Sequence, residues 1–260
     1  MKLSSIAIGV VALALGASSG QAAVASLWYL TFDPIDAVVG TQSGPQSVIS
    51  FDPSPGSTAL VDTLTEAPVE IDAFERLDAN RFYFSTDTHV ESGGLVIAPG
   101  DIVLSDNDSL SLAFDANAEG LSAGTDVDAV AVDDNDDMLL SFDTAIELDG
   151  NVFEDADLVR FDGSSFHPFF DAATAGFADN ADVDAATGFS GGRMAVSMRA
   201  GGTVQGTAYN HGSLLLIEGD GSFGAVVFSA IEQAGTSSDI ASLSAEPLGD
   251  AIFSDRFEEG

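Results

Sequence analysis

The stretch DVDAVAVDDNDDMLLSFDTAIELDGNVFEDADLVRFDGSSFHPFFD, residues 126–171, decides the fold, because the same grammar is written three times. Upstream, from Glu70, it reads EIDAFERLDANRFYFSTDTHVESGGLVIAPGDIVLSDNDSLSLAFD. Downstream, from Asp182, it reads DVDAATGFSGGRMAVSMRAGGTVQGTAYNHGSLLLIEGDGSFGAVVF. Asp72, Asp128 and Asp184 head the three copies at a constant spacing of 56 residues. A fixed period of this size marks a repeat architecture, in which each copy buries its apolar face against its neighbours.

Within a copy, four short runs of apolar, β-branched and aromatic residues are separated by Gly, Asp, Asn and Ser, a strand pattern rather than a helical one. In the central copy these runs are 127–132, 138–142, 158–161 and 166–170, strands a to d. Residues 133–137 form the polar a–b turn, and Asp162-Gly163-Ser164-Ser165 is a c–d hairpin turn with glycine available for positive φ. Strand b recurs at 81–85 and 194–198, and strand c at 102–104 and 214–217. The long b–c connection carries Gly94, Gly150 and Gly206, again 56 apart. Three residues after each comes a large apolar side chain, Ile97, Phe153 or Tyr209, expected to plug the flank of its own unit.

Both ends of the chain carry fragments of this unit. Residues 27–32, 48–51 and 58–61 resemble strands b, c and d with no strand a before them, whereas 238–243 resembles strand a with nothing after it. A linear solenoid needs whole or capped terminal repeats. A closed ring of four-stranded blades instead completes its last blade with strands from both termini. The expectation is an all-β, four-bladed β-propeller of about 56-residue repeats at 70–125, 126–181 and 182–237, plus a composite of 26–69 with 238–246. Pairing of 239–243 with 27–32 would seal it. A β-sandwich or an open stack of the same units is the alternative.

The flanks read differently. Lys2, the apolar run 6–15 and the small residues Ala23-Val24-Ala25 make 1–25 a signal peptide, with cleavage after Ala25, or after Ala22 or Ala23. The run is too short to span a bilayer and nothing later approaches one, so the mature protein is expected to be exported, periplasmic or extracellular, and not inserted in membrane. There is no cysteine, so packing, strand pairing or bound ions must hold it together. Residues 247–260 form an acidic tail ending DAIFSDRFEEG. It resembles the IFxDGFE-like tails on exported proteins of some gammaproteobacteria, with Arg256 where glycine is usual, which implies a handling or sorting signal.

Forty-two acidic residues face seven basic ones, a net charge of −35. Such a surface repels nucleic acid and anionic lipid and attracts divalent cations. In a ring, the heads of the inner strands a converge on the central channel. Residues two apart in a strand share a face, which predicts one ring of four carboxylates (Glu70, Asp126, Asp182, Asp239) and one of three (Asp72, Asp128, Asp184). Like charges so crowded need compensation. A hard cation with oxygen ligands supplies it, calcium before magnesium because calcium tolerates irregular shells. The competing reading makes the same side chains caps for strand ends at a solvated rim.

The IDAF and VDAV segments, followed by aromatic strands such as RFYFSTD, resemble the hemopexin-type repeat. That resemblance implies a four-bladed propeller with Asp-Ala on each inner strand, here Asp72-Ala73, Asp128-Ala129 and Asp184-Ala185, near a channel that holds ions. The long b–c loops and the missing strand-c tryptophan depart from that family, and leave haem or matrix-protein binding unsupported.

Other motifs are weaker. Asp133, Asn135 and Asp137 alternate like the start of a calcium loop, but Met138 and Thr144 stand where glycine and glutamate belong. Gly120-Leu121-Ser122-Ala123-Gly124 matches a nucleophile elbow, yet falls between two repeats rather than between a strand and a helix. Asp52, Asp106, Asp162 and Glu218 close strand c as turn formers. His89, His167 and His211 occupy non-equivalent places, so no zinc site or triad can be argued. The functional expectation is a monomeric binding or scaffold module for a protein or carbohydrate ligand, with a calcium ion in its channel. The alternatives are a metal-assisted hydrolase or lyase using acidic residues at the channel mouth, and a structural component of an envelope or matrix.

Overall fold

The computed structural model describes residues 27–33, 37–38, 41–42, 47–52, 57–63, 71–78, 80–92, 94–107, 109–229 and 239–246, the backbone alone up to residue 63 and at 239 and 246. Residues 1–25 and 247–260, read above as a signal peptide and an acidic tail, and Glu70 lie outside the described residues. Four sheets of four antiparallel strands make up the β-propeller. The first blade runs from inner strand Phe74–Arg76 through Arg81–Phe84 and Ile102–Asp106 to outer strand Ser109–Phe114. The second uses Val127–Val132, Met138–Phe142, Leu158–Phe161 and Phe166–Phe170. The third uses Val183–Phe189, Arg193–Met198, Ser213–Ile217 and Phe223–Ser229.

In the composite blade, Asp239–Glu246 lies innermost and pairs antiparallel with Leu27–Asp33, which is followed by Ser47–Asp52 and Ser57–Thr63. The four inner strands touch in cyclic order: first to second, second to third, third to composite, composite back to first.

The core lies between blades. Ala73, Ile102 and Phe114 of the first blade pack with Val127, Val130, Leu140 and Phe161 of the second. Phe114 meets Phe161 edge-on at 5.2 Å. Ala129, Ala131 and Leu158 of the second pack in turn with Val183, Met194, Val196 and Leu215 of the third. Backbone bonds tie the same joints with the repeat's period. The first inner-strand amides, Val127, Val183 and Ile240, donate to the carbonyls of Pro99, Asp155 and His211 of the preceding blade at 3.3, 3.2 and 3.4 Å. Buried Ser85 and Ser197 add hydroxyl bonds to the Val127 and Ile240 carbonyls at 3.0 and 3.1 Å.

The long b–c connection is not a plain loop. It folds into a two-stranded hairpin at Val90–Ser92 with Leu95–Ile97, at Ile146–Leu148 with Asn151–Phe153, and at Gly202–Val204 with Thr207–Tyr209. Asp149-Gly150 and Gln205-Gly206 have positive φ at both turn positions (51° and 77°, 48° and 83°), the geometry that matches the strand twist of a two-residue hairpin. Ile97, Phe153 and Tyr209 are buried at its base. Position 101, with its counterparts 157 and 213, organises the loop that follows. Asp101 accepts from Ala98 and Ala116 amides, Asp157 from Glu154 and Ala172, and the Ser213 hydroxyl from Asn210.

Candidate functional site

The channel has two chemically different mouths. One lies at the start of the inner strands, where the carboxylates were expected to form rings by simple alternation. Alternation breaks there. The pairing register shifts between Val127 and Ala129 and between Val183 and Ala185, so Asp128 and Asp184 are the extra residues of equivalent β-bulges. Packing shows the consequence: Val127 and Val130 face the first blade, whereas Ala129 and Ala131 face the third. Residues two apart across the bulge therefore do not share a face.

The bulge brings Asp128 towards Asp182 of the next blade instead. Arg199 Nη1 stands 3.7 Å from Asp128 Oδ2 and 3.9 Å from Asp182 Oδ2, and the charges of Asp184 and Asp72 also act on it. Arg199 follows strand Arg193–Met198, and its amide donates to the Asp182 carbonyl at 3.0 Å. In the second blade the matching residue is Asp143, whose amide donates to the Asp126 carbonyl at 3.2 Å and whose Oδ1 accepts from the Asp126 amide at 3.0 Å. A guanidinium of the protein itself thus stands beside Asp128 and Asp182, two of the carboxylates expected to line the channel. Its signal was visible: positions 87, 143 and 199 read Asp, Asp, Arg.

Asp128 is 5 % exposed, and no hydrogen bond reaches its Oδ2. Burial, then the charge of Asp182, push its carboxyl up to about 8, against the pull of Arg199. Burial, then Asp143, push Asp126 up to about 6. Asp72, Asp126, Asp182 and Asp184 are half-buried. Of Asp239 only the backbone is described. Among the described residues, no three histidine, aspartate or glutamate side chains converge closely enough to hold a metal ion.

The weaker motifs settle into local roles. Asp133 Oδ1 accepts from the Asn135 and Asp137 amides at 2.7 and 3.1 Å, an Asx turn closing the a–b hairpin. Ser122 is exposed in a loop and bonds the Thr125 hydroxyl at 2.8 Å. His167 sits 3.1 Å from Asp162, and His89 is exposed.

The other mouth lies where the inner strands end, about 13 Å further along at some 3.3 Å per residue from Asp128 to Val132. The repeat-equivalent residues Arg76, Val132, Gly188 and Ala245 surround a cavity of about 470 Å³. One residue earlier on each inner strand stand Glu75, Ala131, Thr187 and Ser244. Glu75 is 6 % exposed and its carboxylate accepts from the hydroxyls of Thr187 and Ser244. Those hydroxyls accept from the Ala245 and Arg76 amides at 3.3 and 2.9 Å, so one buried acid ties three blades across the axis. Burial holds its carboxyl well above the usual range, against those two bonds. Repeat equivalence does not mark Glu75 as functional, because its counterparts are Ala, Thr and Ser.

No family model and no curated protein sequence matches the chain. Solved structures are similar only distantly. A structure described as YCF48 bound to D1 peptide shares 8 % identity and a TM-score of 0.28, over 72 % of this chain and 48 % of that one. A luciferin-regenerating enzyme shares 11 % and 0.35, over 73 % and 58 %. A chain of a nidogen/laminin complex shares 9 % and 0.37, over 84 % and 97 %. The chain thus spans about half of the first and under two thirds of the second. Likeness at this level says nothing of function. Among the described residues no helix is long and apolar enough to cross a membrane.

Proposed function

We propose that the protein is an exported binding module whose acidic mouth receives a cationic group, such as a lysine or arginine side chain of a protein partner. The observation that carries this reading is Asp128, a buried carboxyl with an oxygen that no hydrogen bond reaches, set beside Asp182. A carboxylate so placed is costly in the free protein and gains most from an incoming positive charge. Arg199 offsets part of the cost from one side, with 58 % of its side chain still exposed. A hydrolase or lyase would need a substrate-sized cleft holding a carboxylate pair; the binding reading needs only the charge arrangement already described.

Calcium is the second reading at this mouth, favoured by the same oxygen that no hydrogen bond reaches and by the hemopexin-type resemblance. The described side chains do not make a cage by themselves, so no step is assigned to the ion. One experiment separates the readings. Octalysine titrated calorimetrically at low salt should bind the wild type at least tenfold more tightly than Asp182→Asn, and weaken as salt screens the mouth. Equal binding by the variant would reduce the attraction to the general surface charge. Calcium should raise the melting temperature of the wild type more than of the variant; a melt indifferent to both calcium and EDTA would remove the ion.

A further inference from the structure

We propose that the cavity at the end of the inner strands is a binding site for a sugar acid, the uronic-acid residue of an acidic carbohydrate, with its carboxylate on the arginines and its hydroxyls on the floor. This deepens the reading of the protein as a binding module, at a separate place from the acidic mouth.

Three observations carry it. First, the inner strands close tightly around the cavity. A Cβ at Gly188 would fall on the carbonyl oxygen of Val132, so the second and third blades meet there without a side chain between them. Ala245 is also small, and Arg76 is the one long side chain among the four axial positions. The resulting volume of about 470 Å³ falls within the usual range of small-ligand sites.

Second, the charge is anomalous. A chain with 42 acidic and only 7 basic residues places two of those seven, Arg76 and Arg81, on the wall of one cavity. Asp78 accepts from Arg81 Nε at 2.7 Å and holds the guanidinium in place. The terminal nitrogens of a guanidinium form the fork that grips a carboxylate. Third, the floor is polar but buried. Glu75 lines the cavity, and no hydrogen bond reaches its Oε2. Burial holds its carboxyl well above the ordinary range, which lessens its repulsion of an anion, and the free oxygen can meet a sugar hydroxyl. The half-buried ring of Tyr83 adds a wall on which a sugar face can stack, and Asp136 an acceptor at the rim.

The test is calorimetric titration of the purified protein with D-galacturonate, D-galactose and D-galactosamine. Galacturonate should bind saturably, galactose at least tenfold more weakly, and galactosamine not at all. Arg81→Gln, on an exposed residue, should weaken galacturonate at least tenfold with an unchanged circular dichroism spectrum. Arg76→Gln should do the same, should the first variant fail to fold. Asp182→Asn, at the other mouth, should leave galacturonate binding intact while weakening octalysine, so the two sites fail independently. No saturable heat with galacturonate at about 10 mM would overturn the proposal. So would equal binding of galactose, or affinity unchanged in both arginine variants.

Discussion

Replacing Asp128 by asparagine should make the protein more stable at pH 8 and leave it nearly unchanged at pH 3.5. In the folded protein burial and then Asp182 raise the carboxyl of Asp128 from 3.8 to about 8. Below pH about 4 it is protonated in both folded and unfolded chains, and folding bears no charge penalty. As pH climbs towards 8, the unfolded chain releases the proton while the folded one holds it, so stability falls across that window. Four tenfold factors at about 1.4 kcal/mol each set a ceiling of about 6 kcal/mol. Arg199, Asp126 and Asp143 all act on the same carboxyl, and water at the mouth screens them; about 3 kcal/mol is the working figure. For a domain of this size that is about 6–12 °C in melting temperature. The assay is a thermal melt by circular dichroism of wild type and Asp128→Asn at pH 3.5 and pH 8, in calcium-free buffer at fixed salt. The wild type should lose most of that interval between the two pH values, and the variant should keep it. Parallel decline of both proteins, or a variant weaker at pH 8 than the wild type, would refute the reasoning.

Two packing predictions test the ring itself. Gly188→Ala should cost about 2–3 kcal/mol in urea denaturation, because the new methyl overlaps the Val132 carbonyl; an unchanged midpoint would mean that the second and third blades do not meet there. Ser197→Ala removes the bond to the Ile240 carbonyl at 3.1 Å and should cost about 1–2 kcal/mol. It should also speed amide exchange along 239–246 ahead of the other inner strands. Uniform exchange would deny that this hydroxyl holds the C-terminal strand.

The sequence by itself carried the repeat, its four-strand grammar and the sharing of one blade between the two ends, because these depend on local propensity and on a period that counting reveals. It could place Asp128 and Asp182 at the head of inner strands. Only the tertiary structure decided which of them meet, since an alternation argument holds only where no residue is inserted, and the bulges at Asp128 and Asp184 turn the faces over. Arg199 and Glu75 were legible as oddities of a repeat position, not as functional groups. Their meaning comes from side chains of different blades converging on one axis, and such contacts between residues far apart in the chain follow from the closed arrangement of blades rather than from any stretch of sequence.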